Sequence, residues 1–361
     1  MFVALKASIQ EGHAYNKEAR QFLETYSGPI DSFYELPYRT FEEELRLGLQ
    51  KAAPAPTKHG VNGSFFLSDS GGRRAAIFKP MNMEAGAPKN HRLAASSNIQ
   101  FRDSILPGQG AGNEVLAYEL DKQAFGGRYE IPKTILVRLR HEAFEGEELG
   151  SAQQFVPDAR SLSELHALEI DAISQKEWEK LNFRLISGST DAHMGNILVS
   201  EGKLFLIDSG DDFVGPEGQH QYYDPWTTHP KAHRLLSQQE YNFLHNIDIK
   251  KTMHVFEQTA LSNEQTSPVL KVSKDKYLTQ VTRLYLAKLV GKYRLTQAEW
   301  FDIMTPKRGL NGKIYPGQLE TIYNKHVGDW LKIHDALEIA VLEQLKKREK
   351  TAYEAHPAFH V

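Results

Sequence analysis

Cysteine is absent from this chain of 361 residues. A disulfide framework, a thiol nucleophile and a thiolate metal site are therefore excluded, which fits a reducing compartment. Long apolar runs are absent too, since no stretch approaches about eighteen consecutive apolar residues. The first residues, Met1 to Lys6, form too short an apolar run for a signal peptide. We expect no transmembrane segment, and any contact with a membrane would be peripheral.

A strong charge of either sign is also lacking. The formal net charge is −3, with 25% charged and 40% hydrophobic residues. The basic residues are dispersed among acidic ones, and no repeat of aromatic and basic residues occurs, so no nucleic-acid partner is expected. The composition indicates an ordinary soluble globular protein, and its length allows two lobes or two small domains.

Two short polar motifs carry the most information. The first is Asp191-Ala192-His193-Met194-Gly195-Asn196, and the second is Asp208-Ser209-Gly210. Phosphoryl transfer requires a carboxylate beside the acceptor and two oxygen ligands for Mg²⁺, all close together. Asp191, Asn196 and Asp208 offer those three groups, although a lone Asp and Asn in a loop are more often turn residues.

The segment between the two motifs predicts a β-hairpin. Residues 197–199 and 204–207 are apolar strands, and residues 200–202 form the turn between them. Because a hairpin returns the chain to its starting point, it brings Asp208 back to Asn196. Both candidate metal ligands are therefore expected at one end of the hairpin.

A second hairpin is predicted earlier in the chain. A glycine-containing segment, with Gly60, Gly63 and Ser64, leads into a strand at 65–67, a turn at 68–72 and a strand at 75–80 that contains Lys79. Backbone amides of such a loop can approach a phosphate closely, and a lysine at the end of the second strand can reach the same phosphates. The alternative is a plain hairpin with a solvated lysine.

A helix over 113–123 follows an irregular stretch at 81–111, with Asn113 as its predicted N-cap. Glu114 in its first turn either complements the helix dipole or pairs with Lys79. Strands are predicted at 131–139 and 151–156, separated by an acidic turn at 141–148. The second of them ends at Pro157-Asp158-Ala159, which is a natural crossover between lobes.

Helices dominate the rest of the chain. The first 56 residues are polar and helical in pattern, with the clearest helix at 41–50, and two prolines within 52–57 mark a linker. A long loop covers 211–236. The other predicted helices cover residues 163–173, 175–186, 237–247, 274–292, 297–304 and 330–350.

The order of these parts resembles that of the type II phosphatidylinositol 4-kinases and their plant and bacterial relatives. The resemblance covers about 150 residues, from Gly60 to Gly210. The D-x-H-x-x-N form is also similar to that of other phosphatidylinositol kinases and of the serine/threonine kinase toxins of bacterial persistence modules. The segments that carry the resemblance are Gly63 to Leu67, Ala76 to Pro80, Pro107 to Gln109, Asn113 to Asp121, Gln154 to Val156 and the two polar motifs.

The resemblance implies an α+β, bilobal protein-kinase-like fold that uses ATP and Mg²⁺. A helical extension would occupy residues 1–56, a β-rich N-lobe 57–156, and a mainly helical C-lobe with a helical C-terminal extension 157–361. Lipid anchoring through cysteine, as in animal members of the family, is not implied because cysteine is absent.

The resemblance also assigns roles to single residues. Lys79 would contact the nucleotide phosphates, and Glu114 would hold Lys79, with Glu119 as the second candidate. Asp191 would orient or deprotonate the acceptor hydroxyl, and His193 would brace the catalytic loop rather than transfer protons. Gln154, Phe155 and Val156 would bind the adenine through backbone hydrogen bonds. Asn196 and Asp208 would bind Mg²⁺, and Gly210 would permit the turn after the metal ligand.

The acceptor stays open at this point. The 211–236 loop is not strongly basic, whereas an anionic inositol lipid would favour positive charge there. An inositol lipid headgroup and a protein hydroxyl are both candidates. The alternatives are a serine/threonine protein kinase related to the toxin kinases and a nucleotide-binding pseudokinase or scaffold. We expect the protein to act in the cytoplasm or, as a secreted bacterial effector, in the cytosol of a host cell.

Overall fold

The computed structural model describes residues 40–57, 60, 62–90, 105–215, 225–305, 307–308, 314–326 and 329–355. The chain divides into two units, Met1–Glu43 and Glu44–Val361. Of the first unit the structure describes residues 40–43, so most of the predicted N-terminal extension lies outside the described residues. Helix α1 (Phe41–Lys51) agrees with the predicted helix at 41–50.

A five-stranded antiparallel sheet carries the first half of the site. Its strand order is β1-β2-β3-β5-β4. One face buries Phe65 and Phe78, whose rings both contact Phe144. The strands are β1 (Ala55–Pro56), β2 (Phe65–Ser68), β3 (Arg74–Pro80), β4 (Thr134–His141) and β5 (Gly146–Gln154).

Helix α2 (Gln109–Glu119) follows the sheet's third strand and continues into a π-helical turn, Leu120–Ala124. The predicted helix at 113–123 was wrong at its start, and Asn113 is not the N-cap. Gly108, with φ of 94°, holds that position in the left-handed conformation that glycine adopts without a steric penalty. The helix therefore begins four residues before the predicted position.

A smaller three-stranded sheet carries the second half of the site. Its order is β6-β7-β8, with β6 (Arg160–Ser161), β7 (Ile197–Ser200) and β8 (Lys203–Leu206) all antiparallel. The hairpin β7–β8 confirms the predicted strand–turn–strand between the two polar motifs. Its inward side chains, such as Ile197 and Leu206, are fully buried.

The remaining helices enclose one large apolar core that includes Trp178, Trp226 and Trp300. Side-chain N-caps at Ser237, Ser273 and Thr296 begin three of these helices near the predicted positions. The helix at 249–266 was not predicted. The helices are α3 (Ala167–Ala172), α4 (Gln175–Trp178), α5 (Asn182–Ser187), α6 (Gln238–His245), α7 (Ile249–Thr266), α8 (Lys274–Tyr293), α9 (Gln297–Met304), α10 (Gln318–His326) and α11 (Trp330–Ala355).

Sheets and helices together confirm the α+β class, while the division into two kinase-like lobes stays a prediction. A short ribbon, β9 (Lys307–Arg308) with β10 (Ile314–Tyr315), completes the strands of the described residues. Within that same part of the chain, no helix is long and apolar enough to span a bilayer.

Candidate active site

Lys79 lies near the end of β3 and joins two distant parts of the chain. Its Nζ is 2.8 Å from Asp208 Oδ1, and it also donates to Glu114 Oε1. Its side chain is only 13% exposed, so this ammonium is held by carboxylates rather than by water. The alternative of a plain hairpin with a solvated lysine is therefore wrong.

Burial and charge act in opposite directions on this cluster. Burial disfavours the ammonium, but the carboxylates of Asp208 and Glu114 outweigh it and raise the pKa of Lys79 above its ordinary value. Burial, with the nearby Asp208 carboxylate, raises the pKa of Glu114 despite the Lys79 ammonium. A charged lysine is thus available for an anionic ligand at physiological pH.

Glu114 is held on Lys79 from the sheet as well as from its own helix. Ser151 lies directly opposite Lys79 in the β3–β5 register, and its Oγ donates to Glu114 Oε2 at 2.9 Å. Glu119, the second candidate, instead accepts a hydrogen bond from Gln123. Glu114 is therefore the residue that the fold brings to Lys79.

Glu84 fixes the N-terminus of α2. Its carboxylate, 4% exposed, accepts hydrogen bonds from the backbone N–H groups of Gly108 (2.8 Å), Gly110 (3.1 Å) and Ala111 (2.8 Å). Burial raises the pKa of Glu84 to about 7 although these three donors oppose the shift. An acceptor 24 residues before the N-cap residue Gly108 thus replaces a local side-chain cap.

Asn113 connects the same helix to the second polar motif. Its Nδ2 donates to the carbonyl oxygens of Gly210 (2.8 Å) and Asp212 (3.0 Å). The residue predicted as a cap therefore lies inside the helix, where it holds the segment that follows Asp208.

The loop that carries Asp191 is braced by its own side chains. Asn196 Nδ2 donates to Asp191 O at 2.8 Å, and the Gly195 N–H donates to His193 Nδ1 at 2.9 Å. His193 Nε2 lies 3.8 Å from Asp191 Oδ1. These contacts fit a bracing role for His193, and the catalytic role of Asp191 stays a prediction.

The β7–β8 hairpin brings the two predicted metal ligands to the same end of its backbone ladder. The Ile207 N–H donates to Asn196 O at 3.1 Å, immediately before Asp208. Asp208, the predicted metal ligand, has φ of 58° and so adopts a left-handed conformation, and a tight turn over Ser209–Asp211 follows it as predicted for Gly210. Gly210 also packs against Gly110 of α2.

The donor chemistry of this end of the hairpin suits magnesium bound together with phosphates. The described residues hold no cluster of three or more His, Asp or Glu side chains that could bind a metal by themselves. Mg²⁺ on a nucleotide needs only one or two protein carboxylates, because phosphates and water complete its shell. Asn196 and Asp208 fit that requirement with one amide and one carboxylate oxygen donor.

The predicted phosphate loop is described at residues 60 and 62–64. Gly63 donates its N–H to Met83 O at 2.8 Å, and Ser64 Oγ is 2.7 Å from Thr57 Oγ1. Gly60 has φ of 100° and open space around the position of a Cβ. The Gly63 amide is thus engaged within the fold, and Gly60 keeps the conformational freedom expected of a phosphate loop.

Two of the three backbone amides in the predicted adenine-binding segment are hydrogen-bonded within the fold. The N–H of Gln154 donates to Lys133 O at 2.7 Å, and the N–H of Phe155 donates to Ala75 O at 2.8 Å. Within the described part of the chain, the N–H of Val156 makes no hydrogen bond. Of the three amides, that of Val156 is therefore the candidate donor to a ligand, and the adenine-binding role of the segment stays a prediction.

Phe66 and Ile77 are site candidates that the sequence analysis missed. They form a cross-strand pair in the β2–β3 register, and both lie on the face of the sheet that carries Lys79. The Phe66 ring contacts Phe155 with centroids 5.9 Å apart. The signal was the alternation along β3, because Ile77 precedes Lys79 by two residues and shares its face.

Ser151, Glu84 and Arg184 were missed as well. Neither Ser151 nor Glu84 carries a local signal, because their contacts depend on strand register and on a helix 24 residues away. Arg184 did carry one, since a charged residue interrupts the buried run from Phe183 to Ile186. A charge in such a run requires a buried partner.

Comparison with known proteins gives relatives named as kinases. Phosphatidylinositol 4-kinase gamma 5 of Arabidopsis thaliana is 25% identical over 252 residues, covering 62% of this chain and 39% of that protein. Phosphatidylinositol 4-kinase gamma 4 of Oryza sativa subsp. japonica is 30% identical over 237 residues (61% and 41%), and gamma 7 of Arabidopsis thaliana is 23% identical over 329 residues (82% and 48%). The chain thus matches less than half the length of these relatives. No protein-family model matches it.

Among solved structures, a proinflammatory kinase of Helicobacter pylori, CtkA, matches 68% of this chain and 93% of its own. The identity is 10% and the TM-score 0.28, values too low to carry an argument. The sequence relatives therefore support a kinase-like family for this chain, without assigning a particular member.

Proposed function

We propose that this chain is an ATP- and Mg²⁺-dependent phosphotransferase that moves the γ-phosphate to a hydroxyl group. One observation carries the proposal: Lys79 contacts Asp208, 129 residues away, together with Glu114. A structural ion pair does not need a third charged partner, whereas the recognition of a metal–polyphosphate needs a cation beside a metal-binding carboxylate. The names of the plant relatives support the same class of reaction.

Each site residue then has a stated task. Lys79 binds the phosphates as a point charge, and Glu114 keeps its ammonium in place. Asn196 and Asp208 hold the metal, which when bound neutralises charge on the phosphates. Asp191 would orient the acceptor hydroxyl and accept its proton, and the Val156 N–H would hydrogen-bond the adenine, against which Phe66 and Ile77 would pack.

For the acceptor, the 211–236 loop offers no strong positive charge to an anionic lipid, so a protein hydroxyl is the first candidate. In the 211–236 loop, Lys231 is 5% exposed and its Nζ donates to Asp171 O at 2.8 Å. His229 packs its ring on Trp178 with centroids 4.7 Å apart. Two of the basic residues are therefore committed to the fold. The loop's charged and histidine residues are Asp211, Asp212, Glu217, His220, Asp224, His229, Lys231, His233 and Arg234.

An inositol lipid is the second candidate, and the printed names of the plant relatives favour it. The two acceptors can be compared in one reaction. Labelled γ-phosphate is supplied as Mg·ATP with phosphatidylinositol vesicles and a generic protein acceptor, and the lipid and protein fractions are then counted separately. Label in protein supports the first acceptor, and label in lipid supports the second.

Asp208→Ala is expected to lower transfer to either acceptor by at least about a hundredfold, because it removes a metal ligand and a partner of Lys79. Asp335→Ala is the matched control, since Asp335 is 76% exposed on α11, and it should transfer at the wild-type rate. Transfer by Asp208→Ala at the control rate would contradict the assigned site. Absence of label with the wild-type chain would favour the nucleotide-binding pseudokinase.

A further inference from the structure

Arg184 is an arginine enclosed in the protein interior. It lies on α5 with 0% of its side chain exposed, between the buried residues Phe183 and Leu185. A guanidinium can occupy such a place only when hydrogen bonds and an opposite charge compensate its lost hydration. Its partners therefore indicate what it does.

Those partners lie on the two segments that carry the proposed metal ligands. One terminal nitrogen, Nη2, donates to Asn196 O at 3.2 Å and to Ile207 O. Asn196 is itself a proposed ligand, and Ile207 directly precedes Asp208. One guanidinium nitrogen thus connects the backbones of both ligands.

The other terminal nitrogen holds the segment after Asp208. Nη1 donates to Ser209 Oγ at 3.2 Å and approaches the Asp212 carboxylate at 3.3 Å. Asp212 is also 0% exposed, so it serves as the buried counter-charge. Arg184 therefore restrains the chain on both sides of Asp208, through its contacts with Ile207, Ser209 and Asp212.

This restraint acts where the hairpin ladder ends. The Ile207 N–H to Asn196 O hydrogen bond is the last rung before Asp208 takes its left-handed conformation. Asn196 O then receives both the Ile207 N–H and the guanidinium. A planar guanidinium can bridge several carbonyls in fixed directions, which a lysine ammonium cannot do in the same way.

We propose that Arg184 is a positioning residue for magnesium. Through its hydrogen bonds to Asn196 O, Ile207 O and Ser209 Oγ it fixes the separation of Asn196 and Asp208, without touching metal or nucleotide. The inference rests on the proposed function, since it takes these two residues as the metal ligands. Removal of a group that holds metal ligands in place commonly lowers metal affinity by a factor of about 10 to 100.

Arg184→Lys tests the proposal, because it keeps one positive charge but loses the fork. Mg²⁺ is titrated in the presence of a non-hydrolysable ATP analogue, and the rise in the thermal unfolding midpoint is recorded. The Mg²⁺ dependence of phosphoryl transfer is measured in parallel. We expect the Mg²⁺ concentration at half effect to rise about 10- to 100-fold in both measurements.

Arg283→Lys is the matched control. Arg283 is equally buried at 0% exposure and also donates to carbonyls, those of Ser187 (3.3 Å) and Val214 (2.9 Å). Its loss should destabilise the fold to a similar extent while leaving the Mg²⁺ midpoint unchanged. Equal Mg²⁺ shifts in the two variants, or no shift in Arg184→Lys, would overturn the proposal.

A double variant, Arg184→Met with Asp212→Asn, covers the case in which Arg184→Lys does not fold. It removes both buried charges together, so no uncompensated charge remains, yet the N–H donors to the carbonyl oxygens of Asn196 and Ile207 are still lost. The Mg²⁺ shift should persist in it, and a wild-type midpoint there would overturn the proposal.

The titration also separates the two hypotheses. If the wild-type chain responds to Mg²⁺ and the Asp208→Ala variant shows no response, the two results support the metal site. Arg184→Lys then tests the positioning role alone. If the wild-type chain does not respond to Mg²⁺, the proposed function fails and this inference fails with it.

Discussion

At the scale of single residues, Lys79 is the point at which the proposed chemistry and the fold coincide. Its ammonium bridges two carboxylates that are close enough to repel each other, and it stays charged because their combined attraction outweighs burial. A phosphate ligand would add to this set of charges and compete with the carboxylates for the ammonium. The residue is therefore expected to serve binding and stability together.

Replacing Lys79 by Met should reduce kcat/KM for Mg·ATP by about a hundredfold or more, because a preorganised cation is lost. Calorimetric titration with a non-hydrolysable ATP analogue should show weaker binding in the same variant. Lys79→Arg is the control for charge, since it keeps the cation but not its compact geometry. Wild-type kinetics in Lys79→Met would show that this lysine does not meet the phosphates.

Glu84 gives the chain a pH-dependent contribution to stability. Its ordinary pKa is 4.5 and burial raises it to about 7, so between these values the folded state binds more protons than the unfolded state. The contribution of Glu84 to the free energy of unfolding is therefore present below pH 4.5 and is lost as the pH rises to 7. The loss amounts to at most about 3 kcal/mol.

Glu84→Gln should remove this dependence. The free energy of unfolding of the variant, relative to that of the wild-type chain, is expected to rise from pH 4.5 to 7 and to stay constant above pH 8. Urea denaturation across that range measures the difference. A difference that does not rise between pH 4.5 and 7 would mean that the three backbone N–H donors keep Glu84 ionised in the folded state.

At the scale of secondary-structure elements, the pairing of β3 with β5 positions both Lys79 and its support. Gly150 lies on β5 next to Ser151, and a Cβ there would be 2.2 Å from Lys79 O. Only glycine permits this close approach of the two backbones. The register that places Ser151 opposite Lys79 therefore depends on it.

Gly150→Ala is expected to lower the free energy of unfolding by about 1 to 3 kcal/mol and to weaken nucleotide binding, because the backbone at Lys79 must move. Gly71→Ala is the matched control in the hairpin turn, where a Cβ would meet only the Asp69 side chain, at 3.2 Å. Denaturation and calorimetric titration measure the two effects. Equal behaviour of both variants would contradict the close approach at Gly150.

Helix α2 was predicted correctly only in part. Its apolar positions were readable, and Glu114 was a candidate partner of Lys79, yet its first turn was assigned to the preceding loop. The residues that begin it are Gly108 and Glu84, and Glu84 acts across 24 residues. Local N-cap signals cannot report such a contact.

At the scale of the whole molecule, the site joins elements that are far apart in sequence. The five-stranded sheet supplies Lys79, α2 supplies Glu114, and the β7–β8 hairpin supplies Asn196 and Asp208. Helix α7, which was not predicted, supports α2 through Asn263, whose Nδ2 donates to Gly112 O at 3.2 Å. The predicted division at residues 56 and 156 stays a prediction.

The sequence by itself determined the features that depend on near neighbours. The β7–β8 hairpin follows from two short apolar runs around a tight turn, and α9 has the predicted bounds because Thr296 and Glu299 form a capping box. The polar motifs at 191–196 and 208–210 were likewise visible as short patterns of the right chemical types.

Only the tertiary structure decided which of these groups meet. The choice of Glu114 over Glu119, the engagement of the Gln154 and Phe155 amides, and the buried contacts of Arg184 all depend on packing between segments distant in sequence. The physical reason is that hydrogen bonds and ion pairs are satisfied by whichever partner the fold brings near. Local periodicity determines the elements, whereas strand register and helix packing determine their partners.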